Sequence, residues 1–131
     1  MVSPGPLPCL ASAVYHSCAL PLPAAAPMLH SPTLAALGNG DLLAVWFAGR
    51  VEGSTDVALY QALCRQGVWS EPRAILTPRA VSEAEHRWTA RLGNPTLYRD
   101  PRGRLFLFFV SAQFGWSTSS LNLTTSDDDG G

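Results

Sequence analysis

Between about residues 30 and 130 the chain repeats itself once, and that repeat constrains the fold more than any other feature. Pro32-Thr33-Leu34, Gly40 and Leu42 recur as Pro95-Thr96-Leu97, Gly103 and Leu105, each 63 residues later. The apolar run LLAVWFA (42–48) meets LFLFFVS (105–111) at the same offset. DVALYQA (56–62) then falls on SSLNLTT (119–125), and Gly67 on Gly130. A single matching Gly or Leu is common by chance. A register held across three strands and two turns marks a true internal repeat.

Each copy reads as β structure. Thr33 to Leu37 is a short apolar run, followed by Asn39-Gly40, a strong hairpin-turn dipeptide. Leu42 to Ala48 is continuously apolar, as in a strand buried on both faces. A loop with Gly49, Gly53 and Ser54 leads to Asp56–Leu63. After Gly67, residues Val68 to Leu76 supply a fourth strand. Four strands joined by short connections make an antiparallel meander. A repeat of this length built from such a meander is the unit of an all-β propeller, whose blades each need a neighbour to bury their faces. A single sandwich of seven or eight strands is the competing architecture, but sandwich strands need not repeat in sequence. The stripe Trp46, Phe47, Phe106, Phe108 and Phe109 reads as core.

The rest of the composition mainly excludes. Hydrophobic residues make up 47% of 131, enough for a core, while charged residues are 15% and the net charge is −1. This gives no electrostatic reason for nucleic acid or an anionic membrane as partner. No apolar run approaches the roughly 18 residues that cross a bilayer. Cys9, Cys18 and Cys64 are an odd number at unpatterned spacing, which argues against a disulfide framework and suits a reducing compartment. Neither CxxC nor HExxH occurs, so no metal and no other cofactor is expected. Residues 1–28, rich in Pro, Ala and Ser, read as a tail, disordered or a misassigned start. They lack a basic region before the apolar stretch, so a soluble cytoplasmic chain is favoured over a secreted one. Oligomeric state is left open.

The C-terminus carries the sharpest motif. Ser126-Asp127-Asp128-Asp129-Gly130 fits the start of an Asp-box, S-x-D-x-G-x-T-W, with Gly67-Val68-Trp69 as a worn copy. In that motif Ser (here Ser126) and Asp (Asp128) hydrogen-bond to a hairpin turn's backbone, and Gly (Gly130) takes a positive φ. The role is structural.

Together with HSPTLAALGNGDLLAVWFAGRVEGSTDVALY (30–60), LGNPTLYRDPRGRLFLFFVS (92–111) and GWSTSSLNLTTSDDDGG (115–131), this resembles the bacterial sialidase-like family built on BNR/Asp-box repeats. The resemblance implies the first two blades of a six-bladed propeller, blade one over about 30–78 and blade two over about 92–131. It implies an exo-sialidase-type glycoside hydrolase acting on a terminal acidic sugar, and a glycan partner. In that family a cluster of three Arg clamps the sugar carboxylate, a task suited to a bidentate guanidinium. The first Arg position is occupied here by His30, as in a related subgroup of sialidase-like propellers. Arg50 matches the second.

Asp56, or less well Glu52, matches the general acid/base, which needs a raised pKa. The Tyr–Glu nucleophile and the third Arg belong to later blades, so the chain alone is expected to be inactive. Most candidates also have a plainer reading. Asp56 suits a turn cap, Arg50 a surface loop, His30 a strand start and Glu52 a solvated position. Asn94 suits a turn and Trp116 core packing, beside a role in contacting sugar that the resemblance also gives Arg91. The alternatives are a propeller lyase or hydrolase for other acidic polysaccharides using His30, or a carbohydrate-binding propeller without chemistry.

Overall fold

A computed structural model describes residues 19–20 and 22–130. They form two antiparallel sheets. The first contains β1 (Met28–Ala36), β2 (Leu42–Gly49), β3 (Ala58–Arg65), β4 (Val68–Trp69) and β5 (Arg73–Leu76). A helix, α1 (Pro78–Glu85), leads to the second sheet of β6 (Arg91–Arg99), β7 (Leu105–Ala112) and β8 (Ser119–Ser126).

The backbone repeats as the sequence does. Both first strands bulge before their proline, between His30 and Thr33 and between Gly93 and Thr96. Ser31 (φ 47°) and Asn94 (φ 49°), 63 residues apart, both take the left-handed conformation there. A bulge is where a proline fits, because no ladder donor is required of it. The two hairpins also match. Leu37 N donates to Asp41 O and Asp100 N to Arg104 O, each at 2.9 Å, with Gly40 (φ 88°) and Gly103 (φ 93°) closing the turns. Each is a three-residue loop ending in a left-handed glycine.

The third strands depart from the 63-residue register. Leu42 pairs with Cys64, but its counterpart Leu105 pairs with Ser126, only 62 residues further on. Between the equivalent pairs Ala48–Ala58 and Ser111–Ser120 the chain is one residue shorter in the second copy, and the turn after β8 is one longer. Left-handed Gln66-Gly67 therefore again match Asp129-Gly130 at 63. Side chains alternate faces along a strand, so the offset of 62 keeps Leu121 and Leu123 equivalent to Leu59 and Gln61. The fourth strand of the first copy is two pieces. β4 and β5 both pair with β3, interrupted around Pro72, which has no N–H for a ladder. Ser70 bridges the gap, its Oγ accepting from Leu63 N at 3.0 Å.

Helix α1 has no counterpart in the meander reading. Thr77 caps it, its Oγ1 accepting from Ala80 N at 3.2 Å, with Pro78 at the first helical position and left-handed His86 (φ 49°) at its end. These are ordinary start and stop signals.

The main core lies between the sheets. Leu43, Val45, Phe47 and Leu59 face Leu92, Leu105, Leu107 and Phe109, with Val81 of α1 alongside. Alternate residues of β2 point the other way. Ala44, Trp46 and Ala48 join Ala26 and Ala62 in a second cluster, with Leu20, Leu29, Tyr60 and Trp69 packed against it. Leu20 and Ala26 belong to the segment expected as a tail; residues 1–18, with Cys9 and Cys18, lie outside the described residues. Cys64 is a buried free thiol. Of the aromatic stripe, Trp46, Phe47 and Phe109 are buried, while Phe106 and Phe108 are half-buried on the second sheet's far face. No helix among the described residues is long and apolar enough to cross a membrane.

Candidate functional site

The antiparallel meander puts the β2–β3 and β7–β8 connections at one end of the sheets and the tight hairpins at the other. Most of the expected site residues gather at the first end. His30 pairs with Phe47 across β1–β2, and their rings stack at 5.2 Å. His30 Nε2 is buried with no hydrogen-bond partner among the described residues. Ser31 Oγ donates to Asn94 Oδ1 at 3.3 Å, so the two bulges touch. Thr33 Oγ1 accepts from Leu97 N at 3.1 Å, which sets β1 and β6 side by side.

Arg50 and Asp56 bracket the β2–β3 connection. Arg50 Nε lies 2.6 Å from Asp56 Oδ2, and the other carboxylate oxygen accepts from Ser54 Oγ. Ser54 Oγ also lies 2.9 Å from Val51 O. The Ser54 hydroxyl, then the Arg50 guanidinium, hold the Asp56 carboxyl below its ordinary value of 3.8. That direction is opposite to what a general acid needs. As placed, Asp56 is an ionised partner of Arg50. Glu52 is exposed on the same connection.

Arg91 is committed to backbone. Its Nε donates to Gly53 O at 2.8 Å and one terminal nitrogen to Phe114 O at 2.7 Å. It thereby ties the connection carrying Arg50 and Asp56 to the one carrying Trp116. The Trp116 ring lies over Gly93, where a Cβ would meet it at 3.1 Å and Phe47 at 3.8 Å. Gly93 is what lets Trp116 approach the first sheet. Sequence reasoning overlooked Ser54, Phe114 and Trp88. The Ser54-x-Asp56 spacing was a readable signal for the first, because a hydroxyl two residues before a carboxylate can cap it locally.

At the opposite end, Ser126 Oγ accepts from Gly130 N at 2.9 Å and from Asp128 N at 3.3 Å, and bonds the Asp128 carboxylate. Gly130 (φ 90°) presents its carbonyl to Gln61 Nε2 at 3.1 Å and to Arg73 at 3.3 Å. The turn thus docks on the first sheet. No group of three or more His, Cys, Asp or Glu able to hold a metal occurs among the described residues.

Residues 40–131 match the family model of the BNR repeat-like domain. The chain belongs to that family. Among solved structures, this BNR chain is similar to Hadza microbial sialidase Hz136, with a TM-score of 0.65 and 16% identity. The match covers 81% of this chain and 25% of that one, so the BNR chain spans a quarter of that sialidase's length. At that identity the likeness shows the shared fold of a sialidase propeller. No curated protein sequence matches the chain.

Proposed function

We propose that the chain forms part of the sugar site of a sialidase-like glycoside hydrolase acting on a terminal acidic sugar. The observation that carries this is the Arg50–Asp56 pair, on an exposed connection beside His30 and Asn94, in a BNR chain similar in fold to a sialidase. In the free chain the guanidinium is neutralised by Asp56. A sugar carboxylate offers it a bidentate partner in place of this single contact and competes for it. Once Arg50 turns to the sugar, Asp56 loses a cation that keeps it ionised, and its pKa rises toward the range an acid needs. The nucleophile is assigned to blades beyond the two copies described. Asn94 and Trp116 complete the pocket, and Arg91 positions it. Glu52 stands as the less favoured carboxylate.

The test is a titration of the whole chain with N-acetylneuraminic acid, following the Asp56 side-chain carboxyl by NMR. Binding is expected to raise the Asp56 pKa, and Arg50→Ala is expected to abolish binding. A fluorogenic α-sialoside is expected to show no turnover with this chain alone. Acid-sugar binding that is indifferent to Arg50→Ala would sink the reading.

A further inference from the structure

Trp88 and Phe114 play no part in the pocket just described, yet both are exposed. Trp88, between α1 and β6, is 57% exposed; Phe114, between β7 and β8, is 74% exposed. Their rings meet at a centroid distance of 5.1 Å with a 53° tilt. Large aromatic side chains are normally among the most valuable groups to bury. Two that pair with each other in solvent mark a recognition surface more often than scattered apolar residues do.

The backbone beneath them is fixed. Phe114 O accepts from Arg91, and Phe114 N donates to Thr118 Oγ1 at 3.1 Å. On either side of Trp88, Arg87 donates to Ser120 Oγ at 2.8 Å and Thr89 N to Ser82 Oγ at 2.8 Å. The rings therefore stand out from braced chain. A rigid aromatic with two side-chain torsions on an ordered backbone loses little entropy when a ligand stacks on it.

The surroundings select the ligand. The chain has net charge −1 and no lysine, so it lacks the electrostatic footprint that accompanies base stacking on nucleic acid. The tilted pair presents two exposed rings, whose faces suit the C–H face of a neutral pyranose. Arg91 bonds both Phe114 O and Gly53 O, which places the pair at the same end of the molecule as Arg50.

We infer that Trp88 and Phe114 form a stacking subsite for a neutral pyranose, taking the part of a glycan beyond the acidic sugar held at Arg50. This rests on the sugar-site reading above, and the test separates the two. Lactose, N-acetyllactosamine and cellohexaose are titrated into the whole chain, read by tryptophan fluorescence and by saturation-transfer NMR. At least one is expected to bind saturably. Trp88→Ala and Phe114→Ala should each weaken that binding about tenfold, the scale of one lost ring stack. Phe114→Tyr should retain it, as should Arg50→Ala and raised salt. Circular dichroism confirms that the exposed substitutions leave the fold in place. Neutral-sugar binding without N-acetylneuraminic acid binding removes the acidic pocket and leaves the subsite standing. No saturable binding of any neutral probe overturns the subsite, as does binding untouched by both alanine variants.

Discussion

The two sheets are copies of one sequence pattern placed in unequal surroundings. The first is covered twice, by the second sheet on one face and by Leu20 and Ala26 on the other. Among the described residues, the second is covered only by the first. Its far face presents Tyr98, Leu121 and Leu123 to solvent, all more than half exposed. Leu121 is the structural counterpart of Leu59, which is fully buried. A strand pattern therefore specifies which side is apolar, and the neighbours decide whether that side is used. This is the behaviour of a repeat fold, in which each unit depends on its neighbour for burial.

The most severe way to probe the contrast is to empty a buried position in the first sheet and an exposed one on the second sheet's far face. Trp46→Ala removes a side chain with no exposure, and about 3–5 kcal/mol of stability should go with it, enough to unfold a marginal domain. Leu121→Ala should change the denaturant midpoint by no more than about 0.5 kcal/mol equivalent. Leu121→Asp should also increase solubility, since a charge interrupts the open apolar face. Equal losses from Trp46→Ala and Leu121→Ala would break the comparison.

A finer probe uses the two matched turns. Gly67 and Gly130 both have positive φ, but a Cβ on Gly67 meets nothing within 4 Å, whereas on Gly130 it meets Leu43 at 3.1 Å. Gly67→Ala should cost about 1–2 kcal/mol from backbone conformation alone. Gly130→Ala should cost more, because Leu43 must also give way. Chemical denaturation of the two variants reads the difference. Ser126→Ala comes next, at about 1 kcal/mol, from the two turn N–H groups it leaves without their acceptor.

The smallest effect is electrostatic. The depressed pKa of Asp56 means the Arg50–Asp56–Ser54 contact contributes its full stabilisation above the ordinary carboxylate value of 3.8 and loses it as pH falls through the lower folded value. Ser54→Ala should move the Asp56 titration upward, more than Arg50→Ala does, because the hydroxyl is the larger cause. Carbon-detected NMR of the carboxyl group measures both.

Much of this architecture was written in local chemistry. Asn39-Gly40 and Gly103 marked the hairpins, and Leu42–Ala48 announced a strand buried on both sides. Features set by compensation between distant positions were not legible. The 62-residue spacing of the third strands hides between two loops of altered length. The break in the fourth strand needed Pro72 weighed against Ser70. Helix α1 carried a Thr-Pro start, but in a stretch between the two copies to which no element was assigned. In the site, Arg50 and Asp56 were singled out by the family resemblance alone. Their mutual pairing depends on how a loop of seven residues folds back, and Arg91's two carbonyl partners lie far away in sequence.

The altered lengths of those two loops have a consequence for anyone editing this chain. Along a β-strand, inside and outside are a matter of odd and even. One residue added to the β7–β8 connection alone would turn Leu121 and Leu123 inward and push Ser120 and Asn122 out, without changing a single side chain in the strand. Loops can therefore be exchanged between the two copies only with their partners, the shorter connection travelling with the longer turn. Insertions and deletions tolerated here should come in matched pairs, as the parity of a checksum requires.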